Sequence, residues 1–195
     1  MSSITNSVKK KARLFFAIEL SQELRNQLEV LQQSNPVFVG RPVKPHNFHI
    51  TLQFLGSVEH QLIHDLIDCV EIPGIKPFLG SIEHYAYYPK NEIGCVEVQK
   101  GKQRLSALKS HLSRCLANEG LHFAKDKHSF RPHITLYREC QPLGDIQQAL
   151  NFEFKVEHFC LMESIQNDKG VYYEVLEEWP VYEPSIKEQF FGIKE

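Results

Sequence analysis

The tetrapeptide His-Ile-Thr-Leu occurs twice in this chain of 195 residues, at residues 49–52 and again at residues 133–136. The whole sequence contains only three threonines, and two of them lie in these two copies. Successive side chains of a β-strand point to opposite faces, so each histidine shares a face with the threonine two residues later. Each copy therefore predicts a strand that buries its isoleucine and leucine and presents one imidazole and one hydroxyl on its open face.

Four side chains define the site that two such strands would form: His49, Thr51, His133 and Thr135. A pair of imidazoles around one cleft can supply an acid and a base near neutral pH, because the unperturbed pKa of histidine is about 6.5. Hydroxyl groups can donate hydrogen bonds to the non-bridging oxygens of a phosphate and stabilise charge that develops there. The pattern therefore predicts acid–base chemistry on a phosphate, with no metal ion or other cofactor.

The overall composition is that of an ordinary globular protein. With 42% hydrophobic and 24% charged residues, the chain is expected to fold rather than to be disordered. Its length favours one domain, or two small lobes within one body. The formal net charge of −2 argues against a protein that coats nucleic acid along its whole surface. Any recognition of RNA is therefore expected to be local.

The cysteines and the N-terminal segment indicate the compartment. The five cysteines are scattered and never form a Cys-x-x-Cys pair, which is typical of reduced structural thiols. The basic run Lys9–Lys11 and the apolar residues after it resemble the start of a signal peptide. However, Glu19 interrupts that apolar stretch and no small-residue cleavage site follows. No other segment approaches the roughly 18 apolar residues of a membrane span, so we expect a soluble, cytoplasmic protein.

Hydrophobic periodicity predicts alternating strands and helices along the chain. The predicted strands cover residues 13–20, 48–55, 78–87, 94–98, 132–138, 152–162 and 171–176. One helix is expected from Ser21 to the Asn35-Pro36 break and another around the leucines between 105 and 116, closed by Gly120. A further helix is expected to begin at Gly56-Ser57 and to end before Pro73.

The two motif strands lie 84 residues apart, and each belongs to a segment that combines strands with a long helix. This spacing indicates an internal duplication. The predicted fold class is α+β, with antiparallel sheets whose outer faces carry the helices. Residues 1–12 are expected to be a flexible N-terminal tail, residues 13–179 the folded domain, and residues 180–195 a C-terminal tail without an assigned role.

The paired motifs and their flanks resemble the two-histidine phosphoesterase superfamily. The closest resemblance is to its LigT/ThpR branch, the RNA 2′,3′-cyclic phosphodiesterases once called 2′-5′ RNA ligases. Besides the two tetrapeptides, the segments that carry this resemblance are residues 13–18, 40–43, 47–56 and 130–138. The resemblance implies two pseudo-symmetric lobes, each an antiparallel β-sheet with helices on its outer face, and an active-site groove between the sheets.

The resemblance also implies a reaction. His49 would be the proton donor to the leaving 3′-oxygen, and His133 would be the proton acceptor that activates water. The implied substrates are RNA 3′ ends, or nucleotides, that carry a 2′,3′-cyclic phosphate, and the product is a 2′-phosphate. The reverse reaction would join RNA ends through a 2′-5′ linkage. Residues alone do not fix which histidine has which role. We expect a monomer, and no protein partner is indicated.

Two arginines near the second motif are candidate phosphate contacts. Arg131 precedes His133 by two residues and would share its face if the strand extends that far. Arg138 is an odd step from His133 and should face away unless the strand contains a bulge. Arg131 is therefore expected to contact the substrate more directly than Arg138.

Three phenylalanines are candidates for stacking on a terminal base: Phe15, Phe48 and Phe54. Strict alternation from His49 turns Phe48 and Phe54 toward the core. Core packing is therefore favoured for both of them.

Other functions are compatible with the same residues. A two-histidine groove could act on another cyclic phosphate, such as a cyclic nucleotide or ADP-ribose cyclic phosphate. It could also belong to a nonenzymatic module that binds nucleotides or RNA, although both histidines and both threonines are intact. His46 and His49 form a His-x-x-His pair, but this spacing splits across the faces of a strand, and no carboxylate or cysteine lies at ligand spacing. A metal site is therefore not expected.

Overall fold

The computed structural model describes residues 11–34, 36–123, 129–168 and 170–191. Nine strands and four α-helices lie within these ranges. In chain order they are β1 (Lys11–Glu19), α1 (Gln22–Ser34), β2 (Phe38–Pro42), β3 (His49–Glu59), α2 (Ile63–Asp68), β4 (Phe78–Tyr88), β5 (Ile93–Val98), α3 (Lys102–Asn118), β6 (His133–Pro142), β7 (Ala149–Val156), β8 (His158–Asn167), β9 (Gly170–Pro180) and α4 (Ile186–Phe191). Short 3-10 helices at Pro45–Asn47 and His60–Leu62 flank β3. Within the described ranges, no helix is long and apolar enough to cross a membrane.

The strands form one antiparallel sheet in the order β7-β4-β5-β6-β3-β1-β8-β9, and β2 also pairs with β6. The two motif strands meet in the middle of this order, where Ile50 of β3 pairs with Ile134 of β6. The pairing of β3 with β6 is one residue pair long. Further along the same edge, β6 pairs with β2. The predicted α+β class is confirmed. The strands β7, β4, β5 and β6 are joined to the strands β3, β1, β8 and β9 through the centres of the two motifs.

The aliphatic side of both motif strands is buried as predicted. Ile50, Leu52, Ile134 and Leu136 are almost completely inaccessible and belong to the main hydrophobic core. Burying an aliphatic side chain of this size contributes about 1.5–3 kcal/mol to stability. The opposite face of each motif strand is left partly exposed, and this face carries the histidines and threonines.

Two helices cover the buried side of the motif strands. In α1, the side-chain amide of Gln32 donates to the main-chain oxygen of Leu136 at 2.7 Å, and the main-chain oxygen of Gln32 accepts from the hydroxyl of Tyr137 at 2.8 Å. In α3, Ser113 donates to the side-chain oxygen of Gln53 at 2.9 Å. One helix is therefore hydrogen-bonded to β6 and the other to β3.

The helix expected between Gly56-Ser57 and Pro73 is present, but its predicted start is wrong. Strand β3 continues through these residues to Glu59, because the first half of β1 provides main-chain partners for it from Gly56 onward. Gly56 adopts a positive φ of 74° beside a register shift, a conformation that glycine accepts without steric cost. The helical turns start only at His60.

The predicted strand 152–162 is two strands, β7 and β8, which are separated at Glu157. They belong to opposite parts of the sheet, since β7 pairs with β4 and β8 pairs with β1. Strand β2 and helix α4 were not predicted. Of the expected N-terminal tail, residues 1–10 lie outside the described residues, whereas Lys11 and Ala12 are part of β1.

The segment after β9 packs against the rest of the fold. Val181 is fully buried, and its main-chain groups bond to Ile75 and Glu157, each at 2.8 Å. Helix α4 begins with a reciprocal capping arrangement, in which Ser185 and Glu188 exchange side-chain to main-chain hydrogen bonds of 3.3 Å and 3.0 Å. The first part of the expected C-terminal tail is thus docked.

Candidate active site

The two motif histidines are anchored in the same way. The Nδ1 of His49 lies 2.7 Å from the carbonyl oxygen of Asn47, and the Nδ1 of His133 lies 2.7 Å from the carbonyl oxygen of Arg131. A carbonyl oxygen only accepts, so Nδ1 must carry the hydrogen in both rings. In the neutral state, Nε2 of each ring therefore has its lone pair available to accept a proton.

The threonines lie beside the histidines on the partly exposed face. The Nε2 of His49 is 3.0 Å from Oγ1 of Thr51, so this hydroxyl can donate to the neutral ring. Thr135 is half-buried, like His133 two residues earlier. The positive charge of protonated His133 lowers the pKa of His49, so the two rings interact electrostatically.

Both motif strands contain a β-bulge at the leucine of the tetrapeptide. The register of β3 against β1 skips Leu52, and the register of β6 against β5 skips Leu136. A one-residue bulge reverses the faces to which the following side chains point, up to the next register shift. The two tetrapeptides therefore share their strand conformation, their histidine anchor and their bulge.

The bulge at Leu52 brings Phe54 to the face of His49. Phe54 is opposite Phe15 in the register, and the two ring centroids are 5.9 Å apart. The side chain of Phe54 is 57% exposed. The prediction that Phe54 packs in the core is wrong, because it assumed uninterrupted alternation along β3.

The bulge at Leu136 has the same effect on Arg138. This side chain is half-buried, and its positive charge lowers the pKa of both His49 and His133. Arg131 is exposed, and the contact that the structure gives it is the main-chain bond to His133. The charge of Arg138 thus acts on both rings, which favours Arg138 over Arg131 as the phosphate contact.

Phe15 and Phe48 are not placed to stack on a base. Phe48 is 1% exposed within the main core, in agreement with the core packing favoured for it, and no face of its ring is available to a ligand. Phe15 is 2% exposed, and its ring centroid lies 5.0 Å from that of His49. Phe15 therefore packs against the imidazole of His49. The expectation that Phe15 and Phe48 contact the substrate is wrong, because both rings are buried.

Two tyrosines that the sequence did not single out pack against the histidines. Tyr173 of β9 meets His49 edge-on, with centroids 4.9 Å apart and an interplanar angle of 84°. Tyr88 of β4 meets His133 at 5.1 Å and 88°. An edge-to-face contact with an aromatic ring restricts the orientation of the imidazole. Neither tyrosine has a sequence signal, because each reaches its histidine from a strand that is distant in the chain.

Asn47 connects the first motif to β9. Its carbonyl oxygen accepts from His49, while its side-chain amide donates to the carbonyl oxygen of Val171 at 2.8 Å. The Asn47 side chain is buried. The start of β9, which also carries Tyr173, is thereby held against the anchor of His49.

The surroundings of both rings favour the neutral imidazole. Burial lowers the pKa of His49 to about 4, the positive charges of Arg138, His133 and Arg25 act in the same direction, and the bond to the carbonyl of Asn47 opposes them. Burial also lowers the pKa of His133, as does Arg138, whereas its main-chain bond to Arg131 and the charge of Glu97 raise it. An anion placed between the rings would raise both pKa values and stabilise the protonated imidazoles.

The residues described by the structure bring together no group of three or more histidine, cysteine or acidic side chains suited to a metal ion. His46, the other member of the His-x-x-His pair, is exposed in the 3-10 helix that precedes β3.

Several known proteins are similar to this chain along most of its length. The LigT-like phosphoesterase family matches residues 18–94, which contain the first motif. The RNA 2′,3′-cyclic phosphodiesterase of Thermus thermophilus is 31% identical over 189 residues, which cover 92% of this chain and 96% of that protein. The enzyme of the same name from Escherichia coli is 28% identical over 172 residues, covering 86% and 95%. The crystal structure of E. coli LigT complexed with 3′-AMP superposes with a TM-score of 0.79 at 26% identity, covering 89% of this chain and 99% of that one.

Proposed function

Because this chain belongs to the LigT-like phosphoesterases, in the family of the RNA 2′,3′-cyclic phosphodiesterases, we propose that it hydrolyses RNA 3′ ends that carry a 2′,3′-cyclic phosphate and releases a 2′-phosphate. The observation that carries the proposal is the pair of identically anchored rings, His49 and His133, on one face of the sheet. Opening a cyclic phosphate needs a base on one side of phosphorus and an acid on the other. Two imidazoles that are anchored through Nδ1 can use Nε2 for these proton transfers. At His49 the hydroxyl of Thr51, which lies 3.0 Å from Nε2, then donates to the phosphate instead.

His133 is the base in this mechanism. Its Nε2 accepts a proton from a water molecule as the water oxygen forms a bond to phosphorus. The positive ring that results keeps its Nδ1 hydrogen bond to the carbonyl of Arg131, which is 2.7 Å long and favours the protonated state. Strand pairing on both edges of β6 holds the ring in place during the proton transfer.

His49 is the acid. As the bond between phosphorus and the 3′-oxygen breaks, Nε2 of His49 gives its proton to that oxygen, leaving a 3′-hydroxyl and a 2′-phosphate. The free protein holds this ring neutral at pH 7, since its pKa is lowered to about 4. The negative charge of the bound phosphate raises that pKa, so His49 takes up a proton when the substrate binds. A subsequent proton transfer from His133 through solvent restores both rings.

The remaining polar groups stabilise the phosphate. The hydroxyls of Thr51 and Thr135 donate to the non-bridging oxygens, and the guanidinium of Arg138 neutralises charge that builds up on them. The influence of Arg138 on both rings supports its position beside the phosphate. Arg131 stays a proposed contact, because its exposed side chain lies two residues before His133.

The exposed ring of Phe54 is the proposed platform for the terminal base. Stacking of a base on an aromatic side chain contributes about 1–3 kcal/mol and does not depend on the sequence of the RNA. The ring of Phe15 packs behind Phe54 and fixes its distance from His49. The base and the phosphate of one nucleotide would therefore contact opposite halves of the groove.

We also propose a cytoplasmic protein that acts as a monomer. All five cysteines are free thiols, and four of them are buried. Thiols of this kind are typical of a reducing compartment. The groove takes both of its motifs from a single chain, so the proposed chemistry needs no second subunit.

The deciding experiment is incubation with a short RNA that ends in a 2′,3′-cyclic phosphate, with separation of 2′- from 3′-phosphate products. We expect a 2′-phosphate, formed at a rate proportional to the enzyme and abolished in a His49→Ala, His133→Ala double variant. A 3′-phosphate product would reverse the proposed geometry of acid and base. If the RNA is bound but not cleaved, parallel incubations with a cyclic nucleotide and with ADP-ribose cyclic phosphate distinguish another cyclic substrate from a binding module.

A further inference from the structure

Each motif histidine faces a glutamate on the neighbouring strand. In the β1–β3 register Glu19 is directly opposite His49, and in the β5–β6 register Glu97 is directly opposite His133. Residues opposite one another in an antiparallel pair project from the same face, with Cβ atoms roughly 5 Å apart. Both glutamates therefore lie on the face that carries the imidazoles.

The two glutamates differ in the partners that bind them. A guanidinium nitrogen of Arg25 lies 2.5 Å from Oε1 of Glu19, so the charge of this carboxylate is neutralised by a cation. The carboxylate of Glu97 instead accepts a hydrogen bond of 2.7 Å from the hydroxyl of Tyr88. A neutral phenol orients a carboxylate without cancelling its charge. Among the residues that the structure describes, no cation pairs with Glu97, so the carboxylate beside the second motif is not neutralised in the way that Glu19 is.

Tyr88 contacts both other members of this group. Its hydroxyl binds Glu97, while its ring packs edge-on against His133 with centroids 5.1 Å apart. Burial, with contributions from Cys95 and Glu97, raises the pKa of Tyr88, so the phenol keeps its proton near neutral pH. Tyr88, Glu97 and His133 therefore form one unit built from three adjacent strands.

The charges around the two rings are accordingly unequal. His133 has Glu97 on β5, the neutral Tyr88 on β4 and Arg138 on its own strand, with His49 across the groove. The charges that act on His49 are all positive and come from Arg138, His133 and Arg25. A nearby carboxylate stabilises an imidazolium, and nearby cations destabilise it.

We propose that Glu97, oriented by Tyr88, is a positioning residue that makes His133 the stronger base of the two histidines. The inference rests on the proposed function, in which His133 accepts the proton of the attacking water. The carboxylate stabilises the imidazolium as it forms on His133, while the cations around His49 help that ring to give up its proton. The two copies of the motif have the same sequence, but they differ in the glutamate on the adjacent strand, which is paired with Arg25 in one copy and with Tyr88 in the other.

Titration of the histidine ring signals by NMR in the substrate-free protein tests this inference. Glu97→Gln keeps the shape and the ability to accept from Tyr88 but removes the charge, so the pKa of His133 should fall below its wild-type value. Tyr88→Phe keeps the ring and should lower it by less. Glu19→Gln is the matched control on the other strand pair, and it should leave the pKa of His133 unchanged.

An unchanged pKa of His133 in Glu97→Gln would overturn the inference, and so would an equal decrease in Glu19→Gln. These outcomes do not depend on any substrate, so they are separate from a failure of the proposed function. In the active enzyme, Glu97→Gln should lower kcat by roughly three- to tenfold, with KM within twofold of wild type, as expected for a weakened general base. A lower thermal stability with no change in the pH profile would instead indicate a purely structural role.

Discussion

Phe54 and Arg138 occupy equivalent positions in the two halves of the groove, each five residues after its motif histidine and two residues after a bulged leucine. The two halves repeat their histidine, threonine and bulge, but at this position one half offers an aromatic ring and the other a guanidinium. A nucleotide has one base and one cyclic phosphate at its 3′ end. We propose that the difference between Phe54 and Arg138 gives a symmetric groove one preferred orientation for its substrate.

Replacement of Arg138 tests the phosphate contact. Arg138→Gln should lower kcat/KM by roughly 100-fold, the lower end of the range for loss of one donor to a developing oxyanion. Because the charge of Arg138 lowers the pKa of both rings, the same variant should raise the pKa of His49 and of His133. Steady-state kinetics and an NMR titration measure the two effects.

The matched control for Arg138 is Arg131→Gln, which removes the exposed arginine that precedes the second motif. We expect a smaller loss of kcat/KM for this variant. A larger loss at Arg131 than at Arg138 would contradict the placement of the phosphate and would restore the order expected from strand alternation alone.

Replacement of Phe54 separates binding from folding. Phe54→Ala should raise KM by about 5- to 150-fold, equivalent to the loss of roughly 1–3 kcal/mol of stacking, while the melting temperature stays near that of wild type. Phe48→Ala is the control, because this ring is buried in the core, and we expect it to lose about 3–5 kcal/mol of stability. An unchanged KM in Phe54→Ala would mean that the base lies elsewhere.

Replacement of each histidine tests the acid–base mechanism. His49→Ala and His133→Ala should each reduce turnover at least 100-fold, in line with the roughly 10²–10⁴ that general acid–base catalysis contributes. Both side chains are partly exposed, so circular dichroism should report an intact fold. A variant of either residue that keeps full activity would be incompatible with a two-histidine reaction.

The sequence predicted the motif strands and their faces but not the points at which the faces reverse. Alternation placed His49, Thr51, His133 and Thr135 correctly, because all four precede the bulges. A bulge depends on the register against a neighbouring strand, which one sequence segment does not encode. For this reason uninterrupted alternation gives the wrong face for Phe54, and Arg138 faces the groove only because the strand has the bulge that its prediction left open.

Long-range pairing also explains the helix that was expected at Ser57. The local sequence there is compatible with a helix, but β1 provides a ladder that extends β3 to Glu59. Helix α4, in contrast, had a usable local signal. Ser185 and Glu188 form the Ser-x-x-Glu pattern of a capping box, and the structure contains its reciprocal hydrogen bonds.

Metal independence is the next prediction. Each motif histidine already uses Nδ1 on a main-chain carbonyl, and the proposed proton transfers use only Nε2. Hydrolysis of the cyclic phosphate should therefore proceed at the same rate in excess EDTA. Complete loss of activity that added zinc restores would favour the His46–His49 metal site that the sequence analysis set aside.

The depressed pKa of His49 should also affect stability. An unfolded histidine takes up its proton near pH 6.5, whereas folding lowers the pKa of His49 to about 4. Between these values the unfolded chain binds the extra proton, so the free energy of unfolding should fall as the pH decreases from about 6.5 to about 4 and should level off below that. Urea denaturation of the wild type and of His49→Ala across this pH range isolates the contribution of His49 to the free energy of unfolding. The variant lacks the titrating ring, so its free energy of unfolding should change less steeply with pH. Parallel curves of this free energy against pH for the two proteins would show that the groove does not hold His49 neutral.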